Sequence, residues 1–83
     1  MSYQVRLRRA VQKQLDKLAE HDYEIVAEAI SALQQEPRPR GVKRLAEGGL
    51  WLIKVGQYRI SYTIDDKERQ ITVVQVSKRT EHT

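Results

Sequence analysis

Apolar and polar residues alternate at the start of the chain, where Tyr3, Val5 and Leu7 are interleaved with Gln4, Arg6 and Arg8. A period of two marks a strand with one buried face. The period then lengthens: Val11, Leu15 and Leu18 recur at helical spacing, with Lys13, Asp16 and Lys17 elsewhere on the wheel. This predicts a short helix over about residues 9–20. His21-Asp22 reads as a break, and Asp22 as the N-cap of a second helix. Ile25, Val26, Ala29, Ile30 and Leu33 form its apolar stripe, and Glu24 near its start suits the positive end of the helix dipole. Pro37 and Pro39 end it. Two helices joined by so short a break predict a helical hairpin.

Beyond Gly41 the pattern is that of strands. Residues 42–45 read as a short strand or an extended lead-in, and Glu47-Gly48-Gly49 as a turn. Residues 50–55, 58–64 and 71–77 are rich in β-branched and aromatic side chains, with a polar connection over 65–70. The expected fold is a single α+β domain spanning residues 1–83, in the order β-α-α-β-β-β. Its helical hairpin packs on one face of a small, mainly antiparallel sheet.

The most informative stretch lies around Gly56-Gln57, which suits a two-residue type II′ hairpin loop with glycine first. That loop pairs Val55 with Tyr58, Lys54 with Arg59, Ile53 with Ile60 and Trp51 with Tyr62. Trp51, Ile53, Val55, Tyr58, Ile60, Tyr62 and Ile64 then share one face. Lys54, Arg59, Ser61 and Thr63 share the other with Leu50 and Leu52. A slip of one residue would destroy this separation. The register sets two cations side by side, which is destabilising unless an anion such as a phosphate sits between them or Lys54 swings into solvent. The last strand leaves two alternatives open. If Val74 and Val76 point inward, Arg79 joins Lys54 and Arg59; if Ile71 and Val73 do, Lys78 takes that place.

Composition changes the picture in two ways. The chain has 83 residues and no cysteine, so one small core must stabilise it without disulfides or thiolate metal sites. No run approaches the roughly 18 consecutive apolar residues of a membrane span. The first residues also lack the apolar core of a signal peptide, so a cytoplasmic location is expected. The formal net charge of +4 is unevenly spread: residues 18–36 hold five acids (Glu20, Asp22, Glu24, Glu28, Glu36) and no Lys or Arg. Residues 37–44 hold Arg38, Arg40, Lys43 and Arg44 and no acid. One acidic helix beside an otherwise basic molecule favours a polyanionic partner.

These features together resemble a known family. A strand, two helices, a Pro-rich break and Lys43-Arg44-Leu45 come first. Val55-Gly56-Gln57-Tyr58-Arg59-Ile60-Ser61-Tyr62-Thr63-Ile64-Asp65-Asp66 follows, and the pattern closes on Lys78-Arg79. The whole resembles the RelE/ParE toxin superfamily, most of all its RelE-type branch. The resemblance implies a RelE-like, microbial-RNase-type fold and the toxin of a toxin–antitoxin pair, with a RelB-like antitoxin as partner. RelE-type members enter the ribosomal A site and cut mRNA by attack of a ribose 2′-OH on the adjacent phosphate, without a metal or other cofactor.

By the same resemblance Arg59 binds the scissile phosphate. Lys54 serves transition-state charge or proton transfer, and Arg79 acts as acid or charge stabiliser. Lys43, Arg44, Lys78 and Arg40 are expected to hold RNA backbone. Two departures bear on the general base. Leu52 stands where some members carry a second lysine, and Glu81-His82-Thr83 lacks the aromatic often found past the last arginine. His82, with an ordinary pKa near 6.5, is a substitute candidate. His21 is expected to be structural, Glu47 and Glu81 to be solvated, and Tyr58 and Tyr62 to lie in the core. Two other readings share the fold: a ParE-like poison of DNA gyrase, and a non-catalytic member that binds RNA or antitoxin.

Overall fold

A computed structural model describes residues 2–45 and 48–79. The elements run β1 (Gln4–Leu7), α1 (Arg9–Asp16), α2 (Glu20–Ala32), β2 (Lys43–Arg44), β3 (Trp51–Val55), β4 (Tyr58–Asp65) and β5 (Gln70–Lys78). The strands form one sheet in the order β1-β5-β4-β3-β2. Only the β1–β5 pair is parallel; the other three are antiparallel, as the consecutive hairpins require. This is the expected α+β arrangement, with the fourth segment resolved as a two-residue edge strand rather than a lead-in.

The helices cover one face, and the core lies beneath them. Val11 and Leu15 of α1 with Val26, Ile30 and Leu33 around α2 meet Ile53, Tyr58, Ile60, Tyr62, Ile71, Val73 and Val76 of the sheet. The two buried tyrosines need partners for their hydroxyls. Tyr62 donates to the Pro37 carbonyl at 2.7 Å, and Tyr58 to the Asp22 carboxylate at 2.9 Å. The first bond ties the Pro-rich connection to the sheet centre. Asp66 makes a second tie: it accepts from Tyr3 at 2.6 Å and from both ends of the Arg38 guanidinium at 2.8 and 3.2 Å. These hydrogen bonds, Arg38's first, hold the Asp66 carboxyl down at about 2.

The helix boundary differs from the expectation. The second helix begins at Glu20, with Ala19 at the N-cap, and makes no side-chain cap bond. His21 and Asp22 therefore lie inside its first turn. Asp22 is spent on the Tyr58 hydroxyl rather than on orphan backbone N–H groups. The break falls earlier, at residues 17–19, and Ile25 from the predicted stripe is 36% exposed.

Candidate functional site

The hairpin has the expected register, with Lys54 opposite Arg59, Val55 opposite Tyr58, Ile53 opposite Ile60 and Trp51 opposite Tyr62. Gly56 has φ +56, while Gln57 is not among the positive-φ residues, the combination of a type II′ turn. Tyr58 and Tyr62 point into the core and are not available for base stacking. Glycine is required at position 56 because an L side chain in that backbone region is strained.

The last strand resolves both alternatives at once through a bulge. Ser61 pairs with Gln75 but Tyr62 pairs with Val73, which leaves Val74 as an extra residue. Ile71 and Val73 are fully buried before the bulge, and Val76 is buried after it. The phase of the strand shifts between them. Ser77 then pairs with Arg59 and Lys78 with Tyr58. Arg79, two residues beyond Ser77, therefore falls on the open side with Arg59. Its backbone N–H donates to the Gln57 carbonyl at 2.5 Å, and its Nη1 to the Gly56 carbonyl at 3.4 Å. The turn that sets the hairpin register thus also anchors Arg79, a role that nothing in the linear pattern marks.

On the other flank β2 pairs Lys43 with Leu52 and Arg44 with Trp51. Residues directly opposite share a face, so Lys43 joins Leu52 and Lys54 on the open side. Arg44 is carried to the helix side, where its guanidinium lies 5.4 Å from the centre of the Trp51 ring. Arg38 approaches the same ring at 5.0 Å. Lys78 is on Tyr58's side of the sheet and is exposed. Arg40 borders a groove of about 720 Å³ between α2 and β3, which Ala29, Leu33, Pro39, Ile53 and Lys54 also line. Of the candidate residues, the fold brings together Lys43, Lys54, Arg59 and Arg79 and sets Arg44 and Lys78 apart, while Arg40 borders the groove that Lys54 also lines. His82, Glu81 and Glu47 lie outside the described residues.

The assembled face is strongly positive. Among the described residues no carboxylate is ion-paired to any of these four cations; the pair present elsewhere is Arg38–Asp66. The crowding acts on Lys54, whose ammonium is driven below its ordinary pKa. Lys43 is the largest cause, followed by Arg79, some desolvation, and Arg59. A lysine so placed gives up its proton more readily than an isolated one. Chemically the face can hold an anion between fixed charges and present an amine beside it. Among the described residues no three His, Asp or Glu side chains gather as a metal ion would require. None of the helices there is long and apolar enough to cross a membrane.

Residues 5–82 match the family model of the ParE toxin of type II toxin–antitoxin systems, parDE. The chain belongs to the RelE/ParE toxin superfamily. No curated protein matches the sequence. Solved structures do. RelE in the archaeal RelE–RelB complex of Pyrococcus horikoshii superposes with a TM-score of 0.88 at 28% identity, covering 99% of this chain and 100% of that one. A chain of the Mycobacterium tuberculosis RelBE2 toxin–antitoxin complex gives 0.84 at 29% identity, covering 95% and 100%. The isolated Escherichia coli RelE toxin gives 0.85 over 98% of this chain and 88% of its own, at 20% identity, a likeness of fold. The chain is thus a superfamily toxin with a RelE-like fold.

Proposed function

We propose that this toxin is a RelE-type endoribonuclease that cuts mRNA in the ribosomal A site, and that an antitoxin holds it inactive in the cytoplasm. The observation that carries the reading is the convergence of Lys43, Lys54, Arg59 and Arg79 on one open sheet face. Cleavage by a 2′-OH requires removal of its proton, stabilisation of a phosphorane with two negative charges, and support for the departing 5′-oxygen. Lys54, with its lowered proton affinity, takes the 2′-OH proton in this account. Arg59, across the strand pair, holds the scissile phosphate. Arg79, fixed by the turn carbonyls, offsets charge on the 5′-oxygen as its bond to phosphorus breaks, and that oxygen takes a proton from water to leave as the 5′-hydroxyl. Lys43, Arg40, Arg44 and Lys78 attract the RNA and ribosomal backbone, which makes binding steeply salt-dependent. His82 remains a second candidate for proton transfer.

The partner surface follows from the same layout. β2 pairs with Trp51 and Leu52, and among the described residues no strand pairs with the outer edge of β3 from Ile53 onward, which borders the apolar groove. A RelB-like antitoxin with an apolar segment and acidic residues would bury the groove and neutralise the basic face.

Two observations favour a second reading. The matching family model is that of ParE toxins, and Leu52 stands where a second basic side chain would strengthen the nuclease site. A poison of DNA gyrase would need no nucleolytic centre. Two assays on the purified protein separate the readings. Cuts in ribosome-bound mRNA, absent with Arg59→Ala and Arg79→Ala, support the endonuclease. Intact mRNA together with inhibited gyrase supercoiling supports the alternative.

A further inference from the structure

We propose that Lys43 is a positioning residue for Lys54: from the edge strand it supplies positive charge that readies Lys54 to accept the 2′-OH proton. The proposal rests on the endonuclease reading and assigns Lys43 a task beyond attracting RNA.

The geometry begins with β2, only two residues long. Its register sets Lys43 directly opposite Leu52, diagonal to Lys54 on the same face. Diagonal neighbours on an antiparallel pair are about 7–8 Å apart at the backbone, within reach of long side chains. Both lysines are exposed on that face, with the half-buried Leu52 beside them on β3. The edge strand is itself held in place from the core. Tyr62 bonds the Pro37 carbonyl at 2.7 Å, and Leu45 N–H bonds the Leu50 carbonyl at 2.8 Å, on either side of Lys43 in the chain.

Three strands and the α2–β2 connection bring charge near Lys54. Lys43 comes from β2, Arg59 from β4 and Arg79 from the end of β5, while Glu36 and Arg40 of the α2–β2 connection border the same groove with opposite signs. The arginines cannot be moved without touching phosphate binding. Lys43 stands one strand further out and can be. Its charge is also the strongest felt by Lys54, ahead of either arginine.

The test uses the full chain with labelled lysine side chains, following the Lys54 titration by NMR in wild type, Lys43→Met and Lys43→Arg. Cleavage of ribosome-bound mRNA by the same proteins is measured from pH 6.5 to 9. Lys54 is expected to titrate at higher pH in Lys43→Met and at the wild-type pH in Lys43→Arg. Each unit of that rise lowers the uncharged fraction about tenfold at neutral pH. Cleavage by Lys43→Met should fall accordingly at pH 7 and recover as the pH is raised.

An unmoved Lys54 midpoint in Lys43→Met overturns the proposal, whatever the protein cleaves. So does a loss of cleavage equal at every pH, since that is the behaviour of a residue that only grips RNA. A midpoint that moves as expected between wild type and Lys43→Met, together with a wild-type protein that cuts no mRNA, leaves the Lys43–Lys54 coupling standing and overturns the endonuclease reading instead.

Discussion

Replacing Tyr62 by Phe removes one oxygen from the centre of the sheet and leaves the ring in place. Tyr62 is fully buried, and its hydroxyl donates to the Pro37 carbonyl at 2.7 Å. The change therefore creates almost no cavity but strands a carbonyl. A net hydrogen bond contributes about 1 kcal/mol, and a buried acceptor left dry raises the cost to about 3 kcal/mol. For a domain of this size each kcal/mol lowers Tm by about 4–8 °C. The same hydroxyl has a second signature. Burial pushes its pKa from 10.0 to about 12, against a smaller opposing effect of Arg38. The folded state therefore holds this proton more tightly than the unfolded chain. Its contribution is complete below pH 10 and is lost as the pH rises through about 12, a swing of about 2 to 3 kcal/mol.

Other tyrosines and lysines titrate in that range, so the informative quantity is the difference between wild type and Tyr62→Phe. Urea unfolding followed by far-UV CD should show the variant less stable at pH 7, with the gap closing as the pH rises from 10 to about 12. A gap that stays constant from pH 8 to 11.5, or none at pH 7, would refute the assigned bond. Because Pro37 leads the connection to β2, the variant should also loosen the strand that carries Lys43.

Three further outcomes follow from the same contacts. Asp66→Asn should be less stable than wild type at pH 7 in thermal melts. The difference should vanish as the pH falls from the ordinary carboxylate range towards 2, because the lowered carboxyl of Asp66 stabilises only while ionised; a difference that persists at pH 2 would count against the Arg38–Asp66–Tyr3 tie. Gly56→Val should cost about 1–2 kcal/mol through its positive φ, and more than Gly56→Asn, as read by chemical denaturation. Arg59→Ala and Lys54→Met should leave Tm unchanged or higher, since each relieves like-charge crowding on an exposed face, while cleavage falls by about a hundredfold or more.

The hairpin was legible in the sequence because two independent signals, the Gly56-Gln57 turn and the alternation on either side, demanded the same register. The last strand was not, because Val73-Val74 places two apolar residues in succession. A bulge absorbs one of them, and no period-two pattern shows which. Arg79 owes its place on the face to that one irregularity. The start of α2 was misread for a different reason: Asp22 has the chemistry of a cap, but a tertiary partner, the Tyr58 hydroxyl, claims it. The separation of Lys43 from Arg44 follows from strand alternation alone. It became visible only once the edge strand had a partner and a register, because two residues are too few to display a period.

The central claim is that Lys54, Arg59 and Arg79 form a site for the scissile phosphate of mRNA. Its most direct test is the single-turnover rate of cleavage of a defined mRNA on programmed ribosomes, at saturating toxin, with the new ends characterised. The account predicts one cut in the A-site codon leaving a 2′,3′-cyclic phosphate and a 5′-hydroxyl, slowed about a hundredfold or more by Arg59→Ala in a protein that still binds the ribosome. Cleavage at the wild-type rate by folded Arg59→Ala, or mRNA left intact by the wild-type toxin, would contradict it.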